Sequence, residues 1–256
     1  MTVRNVILAH VEVFVVLLQL PNRSQHRVSL VEDDDDSFYA FQQASRLSLI
    51  PKSTLGYWIV HGVVTPSRRL VAPNNQIVAE GFSFADVRYL GVLRFLRNKA
   101  VPLEYAVDVV RHLIDRFGPP GPRWKNAVVG GGKREVYAYA EDEWGTTLVV
   151  KGGGGQTFIE SLRPSIVQAI KEASRSPDAI LVPAEYYESV EINPRIAGGM
   201  PVVRGNRVPT AVLRAMAHDM PVARIAKNVY PFLTVNQIDK AVAFEHYLDR
   251  GEARAA

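Results

Sequence analysis

Residues 39–58 read YAFQQASRLSLIPKSTLGYW, and the fold turns on how this stretch is divided. Ala40 to Leu47 forms a short helix, and Ser48-Leu49-Ile50 forms a turn. Pro51 suits the first position of a second helix, because its missing N–H has no intrahelical partner there in any case. That helix runs from Pro51 to about His61, with Leu55, Trp58 and Ile59 on one face. Gly62 stops it. Helix, three-residue turn and helix is the arrangement whose second helix enters a DNA major groove by its N-terminal end. Lys52, Ser53 and Thr54 stand at that end, with Tyr57 one turn further along. They are donors suited to phosphates and base edges.

Further along, Arg68 and Arg69 precede Leu70 to Ala79, which reads as two short strands around Pro73-Asn74-Asn75. The hairpin forms a wing, and the two arginines at its base reach the nucleic-acid backbone or minor groove. Ser83 is a natural N-cap with Asp86 three residues later, and Phe82 and Val87 form the hydrophobic staple across it. Arg94 and Arg97 lie along this helix. The next helix begins at Pro102, and Leu103, Ala106, Val107, Val110, Leu113, Ile114 and Phe117 make its apolar stripe. Gly118-Pro119-Pro120-Gly121-Pro122 ends it and marks a domain boundary. Residues 38–117 hold ten basic groups against five acids, whereas residues 1–37 hold three against six. Charge segregated in this way points to a binding face more directly than the net +4 does.

Residues 38–118 resemble a MerR-type winged helix. The matching runs are Tyr39-Ala40-Phe41-Gln42-Gln43-Ala44, Ile50-Pro51-Lys52-Ser53-Thr54-Leu55-Gly56-Tyr57-Trp58 and Phe82-Ser83-Phe84-Ala85-Asp86-Val87. The order helix, helix, wing, helix, helix matches too. Two departures stand out. Ser48 occupies a turn that often holds glycine. The proline cluster also interrupts the chain where MerR regulators have a long dimerisation helix, so any pairing of subunits must come from elsewhere.

Residues 1–37 form a leader or disordered extension. Val6 to Leu20 is nearly all apolar but holds His10 and Glu12, and it is shorter than the ~20 residues a membrane helix needs. It resembles a weak signal sequence without a clear cleavage site. A stray strand, a poorly ordered extension and a misassigned start all fit. Glu32-Asp33-Asp34-Asp35-Asp36 then reads as a solvated acidic linker.

The expected middle unit, residues 123–189, is β-rich from Trp124 to Phe158. Glu135 to Tyr139 and Thr146 to Val150 are its strands, and Glu141-Asp142-Glu143 is a hairpin tip. Pro164 opens a short helix with Val167 and Ile170 inward. Gly130-Gly131-Gly132-Lys133 fails as a phosphate loop, because Ala127 stands where the first glycine is needed and Arg134 where Ser or Thr is needed. Gly152 to Gly155 is no better.

Residues 190–249 form a C-terminal module. Val190-Glu191-Ile192 and Pro201-Val202-Val203 are short strands around Gly198-Gly199. Helices open at Pro209 (Val212, Leu213, Met216) and Pro221 (Val222, Ile225, Val229). Thr234 and Gln237 form a capping box for a third helix, stapled by Leu233 and Ile238, with Ala241, Val242 and Leu248 inward. The expected fold class is therefore α+β: a winged helix-turn-helix, a small β-rich middle and a three-helix, helix-turn-helix-like tail. The tail resembles the C-terminal domain of VapB-type antitoxins on Ile192-Asn193-Pro194, on Gly198 through Pro209 and on Tyr230-Pro231-Phe232-Leu233-Thr234. A MerR-like head on such a tail resembles a mycobacterial VapB subgroup. That resemblance implies a PIN-domain ribonuclease toxin as partner, repression of the shared operon through operator DNA, and a homo-oligomer within the complex. Arginine can block a carboxylate metal site bidentately, and the candidates for toxin binding are Arg204, Arg207, Arg250 and Arg254.

An enzyme is not expected. With no cysteine there is no thiolate nucleophile, zinc thiolate site or disulfide, which fits a reducing, cytoplasmic setting without membrane attachment. Asp108, His112 and Asp115 share a helix face but read as an exposed polar stripe, and no catalytic triad or cofactor motif stands out. Two other readings stay open. One is a stand-alone MerR-like regulator whose middle region senses a small molecule, and the other is an interaction scaffold that does not bind DNA.

Overall fold

Leu49 is the residue on which the first two helices turn. The computed structural model describes residues 37–132, 135–140 and 156–253. In it α1 (Phe41–Ser48) meets α2 (Lys52–Val60) through Leu49-Ile50-Pro51. Leu49 adopts the left-handed conformation, φ 55° and ψ 31°. Its N–H donates to Arg46 O at 3.2 Å, and that of Ile50 to Ser45 O at 3.1 Å. Ser48 is not the turn residue. It stays in α1 and donates to Ala44 O at 2.6 Å. A leucine in this conformation costs ~1–2 kcal/mol, and burial of its side chain returns about as much.

Pro51, Pro102, Pro209 and Pro221 each sit one position earlier than expected. All four are N-cap residues with ψ between 135° and 144°. Their carbonyls accept the first intrahelical bonds, as Leu55 N to Pro51 O (2.8 Å) and Ala106 N to Pro102 O (3.0 Å) show. The proline φ suits an N-cap as well as a first helical turn, and the missing N–H is equally harmless at both.

The hairpin pairs β1 (Arg68–Val71) with β2 (Ile77–Gly81), so both arginines lie within the first strand rather than before it. Its loop is Pro73-Asn74-Asn75, closed by Asn75 N to Ala72 O at 2.9 Å, with Asn75 at φ 61°. That is a three-residue loop with a left-handed third residue, not a two-residue Asn-Asn turn. The chain then enters α3 (Phe84–Asn98), whose Ser83–Asp86 capping box forms as expected. Next comes α4 (Leu103–Phe117), whose Ala106, Val107, Val110, Leu113 and Ile114 are buried.

The proline-rich segment 118–122 ends α4 without ending the core. Trp124 follows it in a 3-10 turn (Pro122–Asn126), wholly buried, and its indole N–H donates to Gly118 O at 2.9 Å. One apolar cluster runs from Tyr39 through Trp124, Ile166 and Val190 to Leu248, so residues of all three expected units share it. β3 (Ala127–Gly132) and β4 (Glu135–Ala140) pair antiparallel, and Gly130 to Gly132 is paired strand rather than loop. Phe158 lies in α5 (Gln156–Ser174). Pro164 sits inside α5 instead of opening it. Ile166, Ala169, Ile170 and Ala173 form the buried stripe, which leaves Val167 at its edge, 43% exposed. The expected hairpin tip at 141–143, the strand at 146–150 and the second glycine run lie outside the described residues.

The C-terminal part pairs β5 (Val190–Glu191) with β6 (Val202–Val203) and adds α6 (Thr210–Asp219), α7 (Val222–Asn228) and α8 (Val235–Ala253). Leu213, Ile225, Leu233, Ile238 and Ala241 form its small core. Val212 and Val229 stand outside it, exposed. The capping box at α8 forms: Gln237 Oε1 accepts from Thr234 N at 2.9 Å, and Thr234 Oγ1 accepts from Gln237 N at 3.1 Å. The result is a mixed α/β chain with a helix-rich C-terminal region. No helix among the described residues is long and apolar enough to cross a membrane.

Candidate nucleic-acid interface

α2 is packed on one side and open on the other. Leu55 and Trp58 are buried, while Lys52, Ser53, Tyr57 and Val60 are exposed and Gly56 has open space where a Cβ would stand. Thr54 is half-buried at the edge. Lys52, Ser53 and Tyr57 thus share one outward face at helical spacing. Tyr57 stacks on His61 one turn later, ring centroids 3.8 Å apart. The far end of the helix is pinned. Gly62 at φ 68° and Val63 close it on Ile59 O and Trp58 O, a Schellman arrangement. From α3, the Tyr89 hydroxyl donates to Val63 O at 3.0 Å, and from α4, Arg111 Nη2 donates to Gly62 O at 2.8 Å. Burial pushes the Tyr89 hydroxyl above its ordinary pKa, against the nearby Arg111 charge.

Arg68 and Arg69 stand on a different element, β1. Arg68 is half-buried, and Arg69 is exposed and pairs across the hairpin with Glu80 at 3.2 Å. The same hairpin exposes Leu70, Val71, Ile77 and Val78, so it is more apolar than a purely electrostatic wing would be. Its foot is fixed to α3 through Asp86, whose carboxylate accepts from Ser67 Oγ and from Ser83 N at 2.8 Å. Burial raises the Asp86 carboxyl above its ordinary pKa, and these hydrogen bonds only partly offset that.

The four arginines expected to meet a partner differ in their surroundings. Arg204 is turned inward. Nη2 donates to Val190 O at 2.9 Å and reaches Asp178 Oδ2 at 3.3 Å, Nε donates to Tyr187 O, and the guanidinium lies 4.2 Å from the Tyr187 ring centre. It ties the strand pair to residues 178–190, and in that state it is not offered to a partner. Arg207 is exposed. Arg250 is exposed, with Nε donating back to His246 O at 3.3 Å. Arg254 lies outside the described residues. Asp108 and Asp115 are exposed and His112 is half-buried. Burial lowers the His112 pKa, and among the described residues no group of three or more such side chains is placed to hold a metal.

Sequence reasoning missed the contact that joins the two ends of the chain. Arg46 Nη2, on α1, donates to Glu245 Oε2 at 2.7 Å and to Asp249 Oδ1 at 2.9 Å, both on α8. Glu245 is almost wholly buried and also accepts from Thr210 Oγ1 of α6. Asp249 further pairs with Arg214 at 2.6 Å. The Tyr39 hydroxyl donates to Gly199 O at 3.0 Å, and Gln43 Nε2 to Met200 Sδ at 3.5 Å. A signal for this was present: Glu245 falls seven residues after Ile238 and three before Leu248, on the apolar stripe of α8. A carboxylate at such a position needs a buried donor.

Comparison with known proteins places a family match on this C-terminal part. No curated protein matches the chain. Among solved structures, the crystal structure of Rv2018 from Mycobacterium tuberculosis is similar, with 18% identity and a TM-score of 0.45 over 81% of this chain and 98% of that one. Residues 190–244 match the model of a family described as "Protein of unknown function (DUF433)".

Proposed function

We propose that the chain is a DNA-binding repressor whose C-terminal module engages a protein partner, with α2 as the recognition helix of a MerR-like winged helix-turn-helix. The observation that carries the DNA half is the outward face of α2: Lys52, Ser53 and Tyr57 project from a helix whose other face and C-terminal loop are held by packing, Tyr89 and Arg111. A helix presented by its N-terminal end on a rigid support suits major-groove docking. The protein partner is proposed to be a PIN-domain ribonuclease toxin, on the strength of the VapB-like residues between Ile192 and Thr234. Arg207 and Arg250 support it as exposed cations able to meet a carboxylate site. Gel shifts with the upstream promoter fragment test the first half, and retardation that weakens with salt is the expected result. No retardation at low ionic strength refutes it. Co-expression with the neighbouring open reading frame tests the second. A toxic neighbour that neither co-purifies nor becomes harmless refutes it.

A further inference from the structure

In α2 only Lys52, at the N-terminal edge, is charged, and no residue is an amide. Ser53, Gly56, Tyr57 and Val60 follow at the i, i+3, i+4, i+7 spacing of a single helix face. On it Val60 is 81% and Tyr57 56% exposed. Gly56 lies between them, with nothing within 4 Å of the position a Cβ would take. A glycine in mid-helix costs stability, and no crowding within the protein calls for one here. Its effect is to thin the helix on the outward side, so that a surface laid against this face can approach the backbone. The Tyr57 ring is held rather than free to swing: it stacks on His61 at 3.8 Å, and His61 Nδ1 lies 2.8 Å from Tyr57 O. From Ser37 to Ala79 the sequence holds no Asp or Glu, so α1, α2 and β1 offer a polyanion no carboxylate of their own.

Base edges in the major groove call for different side chains. Guanine offers two acceptors, which arginine or lysine fits. Adenine offers an acceptor and a donor, which asparagine or glutamine fits, and cytosine a donor, which a carboxylate fits. Thymine adds a methyl group, which apolar surface fits. From Ser53 to Val60 the first three kinds of side chain are missing and the fourth is present. Resting on the nucleic-acid reading above, we propose that α2 selects A·T-rich duplex by packing Tyr57 and Val60 against thymine methyl groups in the major groove, with Gly56 permitting the close approach. The helix rises ~10 Å from Ser53 to Val60, the length of about three base pairs at ~3.4 Å each. The Ser53 hydroxyl donates or accepts and so serves any base pair without discriminating. Each thymine methyl enclosed by this face strengthens binding about fourfold, the effect of taking one such carbon out of water.

The test uses the full-length protein and the upstream promoter fragment prepared twice, once with thymidine and once with deoxyuridine throughout. The two fragments carry the same phosphates and base pairing and differ in the C5 methyl groups alone, so binding held by charge treats them alike. Gel shifts at one low salt concentration compare wild type, Val60→Ala and Tyr57→Ala/Val60→Ala, with circular dichroism checking that each variant folds. Wild type is expected to bind the deoxyuridine fragment roughly tenfold more weakly, Val60→Ala to show a smaller loss, and the double variant to differ by no more than about twofold. Where the double variant binds too weakly to measure, Val60→Ala alone carries the comparison. Equal affinity of wild type for the two fragments overturns the proposal while leaving the DNA reading intact. So does the same loss in wild type and Val60→Ala, which would assign the methyl effect to another surface or to duplex shape. Retardation of neither fragment by wild type overturns the DNA reading and the proposal with it.

Discussion

Replacing Arg46 by Met leaves the Glu245 carboxylate buried without its cation. The side chain of Glu245 is 2% exposed and that of Arg46 21%. Breaking a fully buried pair costs ~3–5 kcal/mol. Arg46 is partly open to solvent, and Thr210 Oγ1 still donates to Glu245, so the expected loss is about 2–3 kcal/mol. For a chain of this length that lowers Tm by roughly 5–10 °C. The companion change Glu245→Leu frees Thr210 Oγ1, which keeps Pro201 O at 3.2 Å, and leaves Arg46 with Asp249. Its expected loss is smaller, ~1–2 kcal/mol. In the double variant no buried charge is stranded, Asp249 retains Arg214 at 2.6 Å, and an apolar pair fills the space. Its stability should return to within about 1 kcal/mol of wild type. Urea unfolding followed by far-UV circular dichroism gives all four corners of the cycle. Additive losses, with the double variant as unstable as the two singles combined, would show that Arg46 and Glu245 do not depend on one another and would refute the reasoning.

Gly251 in α8 has no room for a Cβ, which would fall inside van der Waals contact with Leu49 Cδ2. Gly251→Ala should therefore destabilise by ~1–3 kcal/mol despite the better helix propensity of alanine, read by thermal unfolding. A neutral or stabilising result would mean that the C-terminal turn of α8 does not rest on the α1–α2 turn. The Asp86 carboxyl has a folded-state pKa raised by burial. The folded protein then binds the proton more tightly than the unfolded one, so this group favours folding most below its ordinary pKa. That contribution is lost as pH rises through the raised value. Asp86→Asn should flatten the fall in stability over this window, measured as urea midpoints from pH 4 upward. For the proposed DNA interface, Lys52→Ala and Arg68→Ala should each lower the slope of log affinity against log salt by roughly 0.9, with similar loss on every duplex sequence. An unchanged slope removes that residue from the phosphate contacts.

Local order was legible wherever one side chain fixes it. The capping boxes at Ser83–Asp86 and Thr234–Gln237 depend on residues three apart, and both form. The apolar stripe of α4 is buried as its period requires. Helix starts at proline were legible only to within one residue, because φ is compatible with two adjacent positions. The phase of α5 does not follow from a helix start at Pro164, because Pro164 lies inside the helix and the stripe of Ile166, Ala169, Ile170 and Ala173 sets the buried side. The division at residues 118–122 looked like a linker because glycine and proline are what linkers hold. The same residues also make a tight turn that buries Trp124. Of the candidate DNA-contacting residues, the face of α2 followed from its period. The inward turn of Arg204 did not, since Tyr187 and Asp178 become its partners only through tertiary packing.

α1 is the element through which the two ends of the molecule constrain each other. Its inner residues support α2 and α3, while Arg46 and Gln43 are held by α8 and by Met200. Tyr39, just before it, is bonded to Phe82 at the hairpin end and to Gly199 in the C-terminal part. A two-helix unit resting only on its own small core could rock without disturbing anything distant. Here a displacement of α1 must break the pair between Arg46 and the buried Glu245 on one side or α2 packing on the other, and close-packed protein cores deform by discrete repacking rather than by gradual yielding. If the proposed partner moves α8 on binding, it would therefore shift the proposed DNA-facing residues Lys52, Ser53 and Tyr57 as well. The physical path for that coupling is the short chain from Asp249 and Glu245 through Arg46 to the turn at Leu49.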